Sequence, residues 1–161
     1  MRLNEGLRQL GSYDCPDDSD DGDTCAWGGV FQYSGLEQIY LPSTLERIKF
    51  KAFSGCINLK SITLPEGLCE IERKCFFETD ITELRLPRSL HTVGENAFAS
   101  NLLTVYLPDG ITRITTELLR SSGVRRIVVP KNVEEIEDSA FKVYGRVHKL
   151  REIVFENGSK L

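Results

Sequence analysis

Residues 59–76 read LKSITLPEGLCEIERKCF, and this segment sets the frame for the rest of the chain. It opens with LKSITLP (59–65), here called the first arm of a repeat, and continues with LCEI (68–71), the second arm. The pair CF (75–76), here called the small–Phe pair, closes the unit. Proline ends the first arm again at Pro42, Pro87, Pro108 and Pro130, and successive prolines lie 23, 22, 21 and 22 residues apart. Self-similarity at this period indicates a solenoid.

The apolar positions recur in register along the chain. The first arms carry Leu36/Ile39/Leu41, Leu59/Ile62/Leu64, Ile81/Leu84/Leu86, Leu102/Val105/Leu107, Val124/Ile127/Val129 and Leu150/Ile153/Phe155. The second arms carry Leu45/Ile48, Leu68/Ile71, Leu90/Val93, Ile111/Ile114 and Val133/Ile136. At a constant offset come the small–Phe pairs Ala52-Phe53, Cys75-Phe76, Ala97-Phe98, Leu118-Leu119 and Ala140-Phe141. A constant offset in every unit excludes chance similarity.

Each column has a physical meaning. Ile-x-Leu alternates with period two, so both side chains face one side of a short strand. These strands must pair in parallel with the next repeat, and proline ends each one without damage to the ladder. The Phe column predicts a stacked spine of Phe31, Phe53, Phe76, Phe98 and Phe141. We therefore expect an α/β-type or mainly-β solenoid whose short parallel strands stack along one face, with a few short helical turns. Each repeat should be stabilised by packing against the adjacent repeats.

The unit L-x-x-I-x-L-P-x-x-L-x-x-I-x-x-x-A-F resembles the BspA-like class of leucine-rich repeats. Residues 36–53 and 59–76 carry the match best, and Cys56 matches a cysteine frequent in that class. The departures are Cys75, Leu118-Leu119, Val129 and Glu156, which keep apolar character except at Glu156. The resemblance implies a leucine-rich-repeat solenoid, an extracellular or cell-surface location, and a role in adhesion or recognition of a protein or glycan.

Charge and composition exclude several classes of function. The 161 residues carry a formal charge of −4, but six aspartates lie within residues 14–23 and the remainder is +2. A nearly neutral body does not favour a nucleic-acid partner. No apolar run approaches the roughly 18 residues of a membrane span, and the first residues lack the apolar stretch of a signal peptide. That absence fits either a cytosolic protein or a piece of a longer chain.

We interpret residues 1–161 as a single repeat domain. It divides into a partial repeat (1–11), an acidic insertion (12–28) and repeats over 29–161, the last of them incomplete. Neither end carries the polar capping element that repeat arrays normally need. We therefore expect a segment of a longer array or end-to-end self-association.

The acidic insertion offers a candidate cation site. Asp17, Ser19, Asp21 and Asp23 partly match an EF-hand calcium loop, in which alternate oxygen ligands surround a glycine turn. Serine at the third position and Gly28 at the twelfth weaken the match, and the alternative is a solvated loop. No other cofactor is expected.

The cysteines, histidines and a sequon complete the candidate sites. Cys15 and Cys25 bracket the insertion and would form a disulfide in an extracellular protein, or free thiols in the cytosol. Cys56 and Cys75 occupy inward columns, whereas Cys69 should lie at the surface. The Asn157-Gly158-Ser159 sequon reads more simply as a tight turn. His91 and His148 are isolated and no catalytic motif is present, so we expect no enzyme activity.

Partner binding is predicted at the exposed positions of the first arms. The candidate residues are Tyr40, Gln38, Thr63, Glu83, Arg85, Tyr106 and Arg126. Tyrosine and arginine are frequent binding anchors, although a mixed soluble surface explains any single one of them equally well. Three hypotheses follow: a recognition or adhesion module, a structural spacer in a longer array, and a calcium-dependent module.

Overall fold

The computed structural model describes residues 1–11, 28–98, 101–119, 122–142 and 150–158. Within these ranges the chain forms nine short strands and no helix, and each repeat makes one turn of a parallel β-solenoid. The strands are β1 (Gln9–Leu10), β2 (Arg47–Ile48), β3 (Glu70–Ile71), β4 (Thr92–Val93), β5 (Thr104–Tyr106), β6 (Arg113–Ile114), β7 (Arg126–Val129), β8 (Glu135–Ile136) and β9 (Glu152–Phe155). The predicted leucine-rich-repeat fold is confirmed, with hydrogen-bonded turns where short helical turns were expected.

The first arms stack in parallel, as predicted. Strands β5, β7 and β9 form one sheet in which Val105 lies opposite Ile127. Both of these side chains are buried, whereas Tyr106 is exposed. This alternation follows from the strand pleat, which sends successive side chains to opposite faces. Isolated bridges join earlier first arms, linking Arg2 with Tyr40 and Ser61 with Glu83.

The second arms are strands as well, which the sequence pattern did not predict. Strands β1 to β4 form one parallel sheet, and β6 pairs with β8. In each strand the second residue is Leu, Ile or Val and packs on the core, as Ile48 does opposite Ile71. The first residue is polar and lies nearer the surface, as Arg47 does opposite Glu70. Two residues suffice because the repeats on either side supply the hydrogen-bond partners.

A tight turn at each proline joins the two arms. In all five corners the proline carbonyl accepts a hydrogen bond from the N–H three residues later. The donors are Leu45 (3.2 Å), Leu68 (3.0 Å), Leu90 (3.1 Å), Ile111 (3.0 Å) and Val133 (3.2 Å). Proline lacks an N–H but keeps its carbonyl, so it fits the end of a strand where only the carbonyl is needed.

The small–Phe pairs lie in a third set of turns, here called the Phe turns, which run from each pair to the next first arm. The rings of Phe31 and Phe53 stack at a centroid distance of 5.6 Å, and those of Phe53 and Phe76 at 5.5 Å. Phe98 is buried in the next repeat and Leu119 occupies the same position after it. The predicted aromatic spine is therefore confirmed over its first three rings.

Backbone hydrogen bonds also run along the Phe turns from one repeat to the next. The Phe53 N–H donates to the Cys75 carbonyl at 3.0 Å, and the Phe76 N–H to the Ala97 carbonyl at 3.1 Å. The residue before each pair has a positive φ, at Lys51 (52°), Lys74 (57°), Asn96 (53°), Glu117 (54°) and Ser139 (63°). This conformation costs a non-glycine residue about 1–2 kcal/mol, so the stacking and the ladder must offset that strain.

Carboxylates join neighbouring repeats at the second arms. Glu72 Oε2 accepts the Phe50 N–H at 2.8 Å. One carboxylate oxygen of Glu137, Oε2, accepts both the N–H (2.8 Å) and the hydroxyl (2.9 Å) of Thr116, and the other lies 2.6 Å from Arg113 Nε. The bond from the Thr116 backbone, aided by Arg113, lowers the pKa of Glu137 below its ordinary value. Each carboxylate therefore stabilises the contact between two turns of the solenoid.

The first-arm ladder is open at two places. No backbone hydrogen bond joins residues 38–41 to 61–64, or residues 82–86 to 103–107, all of which the structure describes. Leu59 follows Phe53 by six positions and Leu102 follows Phe98 by four.

The closed contacts follow Phe turns of a different length. Leu36 follows Phe31 by five positions, Ile81 follows Phe76 by five, and Val124 follows Leu119 by five. Each of these three arms is bridged or paired to its predecessor, as is the last arm, which follows a turn of nine. The bridged or paired contacts therefore follow turns of five or nine residues, and the two open contacts follow turns of six and four.

Candidate recognition surface

The exposed side of the first arms, here called the first-arm face, carries every residue predicted to bind a partner. Tyr40 and Tyr106 are 59% and 63% exposed. The other five are exposed too: Gln38, Thr63, Glu83, Arg85 and Arg126. Each tyrosine offers a partner a large apolar ring and a hydroxyl group.

The larger groove on this face lies at the second opening of the ladder, and we call it the 85/106 groove. It has a volume of about 1010 Å³. Its walls include Glu83, Arg85, Arg88, Leu103, Tyr106 and Asp109. Three of the predicted binding residues, Glu83, Arg85 and Tyr106, are thus brought together at one place.

The charges of the 85/106 groove are only partly compensated. The backbone N–H of Arg88 donates to Glu66 Oε2 at 3.4 Å, so the Glu66 carboxylate already has a hydrogen-bond partner. The side chains of Arg85 and Glu83 form no hydrogen bond or ion pair with any residue in the described part of the chain. Leu103 adds an apolar side chain that is 50% exposed. The groove therefore offers two cations, Arg85 and Arg88, the carboxylates of Glu83 and Asp109, and apolar surface to a ligand.

The backbone of β5 is a second set of available groups in this groove. Strand β5 bonds to β7 through the Leu103 carbonyl and the Leu107 N–H. Alternate residues of a parallel strand bond to opposite neighbours. Thr104 and Tyr106 therefore direct their N–H and C=O groups to the other side, toward residues 82–86. No described residue pairs with that edge.

A second, smaller groove lies at the first opening of the ladder, and we call it the 40/63 groove. It has a volume of about 560 Å³ and is lined in part by Gln38, Tyr40 and Thr63. The guanidinium of Arg2 lies 6.0 Å from the centre of the Tyr40 ring, so this tyrosine already has a cationic neighbour. The three predicted residues here are adjacent, but they are separate from the 85/106 groove.

Arg126 belongs to neither groove. It lies on β7, and its Nε is 3.2 Å from the Glu152 carboxylate across the strand pair. An exposed cross-strand ion pair of this kind is an ordinary surface feature. The sequence analysis selected Arg126 with the other residues because it treated all exposed first-arm positions as equivalent. It missed Leu103, Arg88 and the open edge of β5, for which the 21-residue step was the available signal.

The acidic insertion lies outside the described residues. This applies to Asp17, Ser19, Asp21 and Asp23 of the candidate calcium loop, and to Cys15 and Cys25. Among the residues that the structure does describe, no group of three or more His, Cys, Asp or Glu side chains could hold a metal ion.

Cys56 and Cys75 have the predicted inward placement, whereas Cys69, predicted at the surface, is half-buried. Cys56 and Cys75 are fully buried free thiols. Burial, aided by the nearby charge of Glu72, raises the pKa of the Cys75 thiol well above its ordinary value, so it stays protonated and unreactive. Cys69 is half-buried, with its Sγ 3.3 Å from the Gly67 carbonyl. None of these cysteines lines either groove.

The other polar candidates lie away from both grooves. His91 Nδ1 is 3.0 Å from Thr92 Oγ1 on the second arm, whereas His148 is outside the described residues. Gly158 has a φ of +87° within a turn, which agrees with the interpretation of Asn157-Gly158 as a tight turn.

Family comparison decides the identity of this fold. The profile of the BspA type leucine rich repeat region matches residues 28–158 in six copies. The chain belongs to this family. The resemblance seen in the first-arm, second-arm and small–Phe columns is thereby confirmed. A comparison with curated protein sequences finds no match. In the described part of this BspA-type repeat chain, no helix is long and apolar enough to cross a membrane.

Solved bacterial structures share the fold. The T. pallidum leucine rich repeat protein TpLRR is 26% identical with a TM-score of 0.59, covering 68% of this BspA-type chain and 61% of that one. A leucine-rich repeat protein from Eubacterium ventriosum is 22% identical with a TM-score of 0.66, covering 78% and 33%. The pneumococcal vaccine antigen PcpA is 18% identical with a TM-score of 0.61, covering 98% and 41%. The matches thus span 33% to 61% of those chains.

Proposed function

We propose that this BspA-type repeat domain is a non-enzymatic recognition module that binds a protein partner along its first-arm face, centred on the 85/106 groove. One observation carries the proposal: Arg85, Glu83 and Tyr106 converge on an open groove without partners in the described part of the chain. Each of these side chains is suited to contact a ligand.

The scaffold supports this role because it holds the groove in place. Across the groove, where neither the first arms nor β4 and β6 pair, the Asn96 N–H donates to the Glu117 carbonyl at 3.3 Å and the Thr115 hydroxyl donates to the Val93 carbonyl at 3.1 Å. A partner that binds a rigid surface loses less conformational entropy on the side of the receptor. The half-exposed Leu103 and the exposed Tyr106 supply the apolar area from which binding energy at interfaces mostly comes.

The proposed role is binding rather than catalysis. The described histidine, His91, lies on the second arm, so the groove has no imidazole that could act as a general base. Its carboxylates, Glu66, Glu83 and Asp109, lie among arginines and hydrogen-bonded backbone.

We also propose an extracellular or cell-surface location, which the known members of the family favour. Antibody labelling of intact cells that express the full-length protein would test the location.

A pair of matched double variants tests the binding role. A phage-displayed library of random peptides, selected on the immobilised native chain, supplies the probe. Arg85→Ala with Tyr106→Ala removes the groove side chains. Arg8→Ala with Tyr33→Ala removes the same residue types from exposed positions outside the first-arm face. We expect the groove variant to lose at least about 30-fold in affinity for the selected peptides and the control to lose less than about threefold.

Other outcomes would support the rival functions. Equal losses in the two variants would contradict the groove as the binding site. If the native chain selects no peptide, and also binds none of the sugars on a glycan array, the structural spacer is favoured. If peptides are selected only in the presence of Ca²⁺, the calcium-dependent module is favoured and the groove is not the primary site.

A further inference from the structure

We propose that the ligand of the 85/106 groove is an extended peptide segment that adds as a strand to the open edge of β5 and carries a basic residue two positions before an acidic one. This inference rests on the proposed function, and it specifies the partner by its backbone conformation and its charge order.

The backbone argument concerns the edge of β5. Thr104 and Tyr106 present N–H and C=O groups toward the groove, and no described residue accepts or donates to them. An unpaired strand edge is a template for another strand, and peptide recognition by strand addition uses main-chain hydrogen bonds for affinity. Most proteins blunt such edges with charge or proline. Here the edge opens instead into a groove of about 1010 Å³, at the upper end of the usual range for ligand sites.

The charge order follows from the register of the first arms. Glu83 precedes the core residue Leu84 as Thr104 precedes Val105, and Arg85 and Tyr106 follow those core residues in the same way. A strand parallel to β5 would present residues i and i+2 on the same face. Its first outward side chain would lie between Glu83 and Thr104, and its second between Arg85 and Tyr106. A lysine then an aspartate or glutamate complement these two positions.

Apolar contacts favour a peptide over a sugar chain. Leu103 and Tyr106 leave half or more of their side chains exposed beside the edge, so aliphatic residues flanking the charged pair would cover them. A glycan can satisfy the charged and aromatic groups, but it does not carry alternating N–H and C=O groups at strand spacing. The open edge therefore discriminates between the two classes of ligand.

Four synthetic peptides test the proposal on the full chain. The first is acetyl-Thr-Val-Lys-Val-Glu-Val-Thr-amide, and the second exchanges its Lys and Glu. The third set keeps the first sequence but carries N-methyl groups on alternate amides, in two versions that block opposite edges. Binding is followed by titration of the amide signals of Thr104 and Tyr106 in ¹⁵N–¹H spectra, which also report whether each variant is folded.

We expect the first peptide to shift both amide signals saturably. The exchanged peptide should bind at least about fivefold more weakly, because both charge pairs become repulsive. At least one N-methylated version should lose binding. The double variant Glu83→Lys with Arg85→Glu should invert the preference and bind the exchanged peptide better.

Two results would overturn the proposal. Equal binding of the first and exchanged peptides, or unchanged binding of both N-methylated versions, would contradict charge order or strand addition respectively. If library peptides bind in an Arg85- and Tyr106-dependent manner while the synthetic peptides do not, strand addition is wrong and the recognition role stands. If neither class binds, both proposals fail.

Discussion

Single carboxylates join one repeat to the next at several corners of the solenoid. Glu72 and Glu137 occupy the same repeat position, one residue after the isoleucine of the second arm, and each accepts a backbone N–H from the preceding turn. Glu5 acts similarly at a proline corner, accepting the N–H (3.2 Å) and the hydroxyl (2.9 Å) of Ser43. Ionised acceptors make stronger hydrogen bonds than neutral ones, and at Glu137 the contacts lower the pKa of the carboxyl group.

Replacement of Glu137 by glutamine tests the pH dependence of stability that follows from this lowered pKa. Thr116 and Arg113 lower the pKa of Glu137 in the folded state. A group with a depressed folded pKa contributes stability above its unfolded pKa and loses that contribution as the pH falls through the folded pKa. The native chain should therefore exceed Glu137→Gln in stability at pH 7, and the difference should shrink below about pH 4. Urea unfolding from pH 7 to pH 3 measures it.

The control for this experiment is Glu83→Gln. The Glu83 side chain has no hydrogen bond or ion pair in the described chain, so its substitution should change stability little. A difference between native and Glu137→Gln that stays constant from pH 7 to pH 3 would contradict the argument, because it would show that the charge of Glu137 contributes nothing.

At the residue scale, the burial of the inward residues could be predicted from the sequence, whereas the positions with positive φ could not. The burial of Cys56 and Cys75 follows from their columns. The positive φ before each small–Phe pair is occupied by Lys, Lys, Asn, Glu and Ser, and among these only asparagine is enriched in that conformation. The backbone conformation there is set by the packing of the adjacent Phe ring and by the hydrogen bonds to the next repeat. The identity of the residue therefore does not reveal the positive φ.

At the scale of elements, the residue with positive φ lies directly before the small–Phe pair and leads the chain into the Phe turn. Ser139 has a φ of 63° and is exposed, and its carbonyl accepts the Glu117 N–H at 3.3 Å. Its side chain contributes little packing, so substitutions there report mainly on the backbone. The neighbouring Asp138 is also exposed but has no positive φ, which makes it a matched control position.

Glycine and valine should therefore have opposite effects at Ser139. Ser139→Gly removes the left-handed strain but adds entropy to the unfolded chain, so its stability should equal or slightly exceed that of the native protein. Ser139→Val should lose about 1–2 kcal/mol, because a β-branched residue is an outlier at positive φ. At Asp138 glycine should instead be no better than valine. Equal stability of Ser139→Gly and Ser139→Val in urea unfolding would contradict the assignment.

The second arms show why some strands escaped prediction. Their pattern is Leu-x-x-Ile, which has neither the period of two nor the length of a typical strand. Ile48 and Ile71 nevertheless pair in parallel, because the proline corner and the Phe turn fix both ends of the segment. The partner one repeat away, rather than local propensity, makes these residues strands.

At the scale of the whole molecule, the two openings of the first-arm ladder coincide with Phe turns of irregular length. Turns of five residues precede bridged arms, and turns of six and four precede the 40/63 and 85/106 grooves. The irregular steps were visible in the sequence as 23 and 21 residues between prolines. Their consequence was not predictable, since an extra or missing residue can be absorbed in a turn or passed on to the strand. The ladder is open after both irregular turns, and the exposed columns are divided into two separate sites.

This relation predicts that one inserted residue closes the larger groove. A glycine inserted between Ser100 and Asn101 lengthens the turn from Phe98 to Leu102 from four to five. The arms at 82–86 and 103–107 should then pair like their neighbours, and the amides of Thr104 and Tyr106 should exchange with deuterium at least about tenfold more slowly. The Lys-x-Glu peptide should no longer bind, because its edge is occupied.

The matched control inserts one glycine between Asp80 and Ile81, which lengthens a five-residue turn to six. The bridge between Ser61 and Glu83 should open, and exchange near it should quicken. If the first insertion leaves the amides of Thr104 and Tyr106 unprotected in a folded chain, turn length does not control the ladder. The groove would then have to arise from the side chains of its walls, and Arg85→Tyr with Tyr106→Val, which copies the closed pair Tyr106 and Val128, would be the change that closes it.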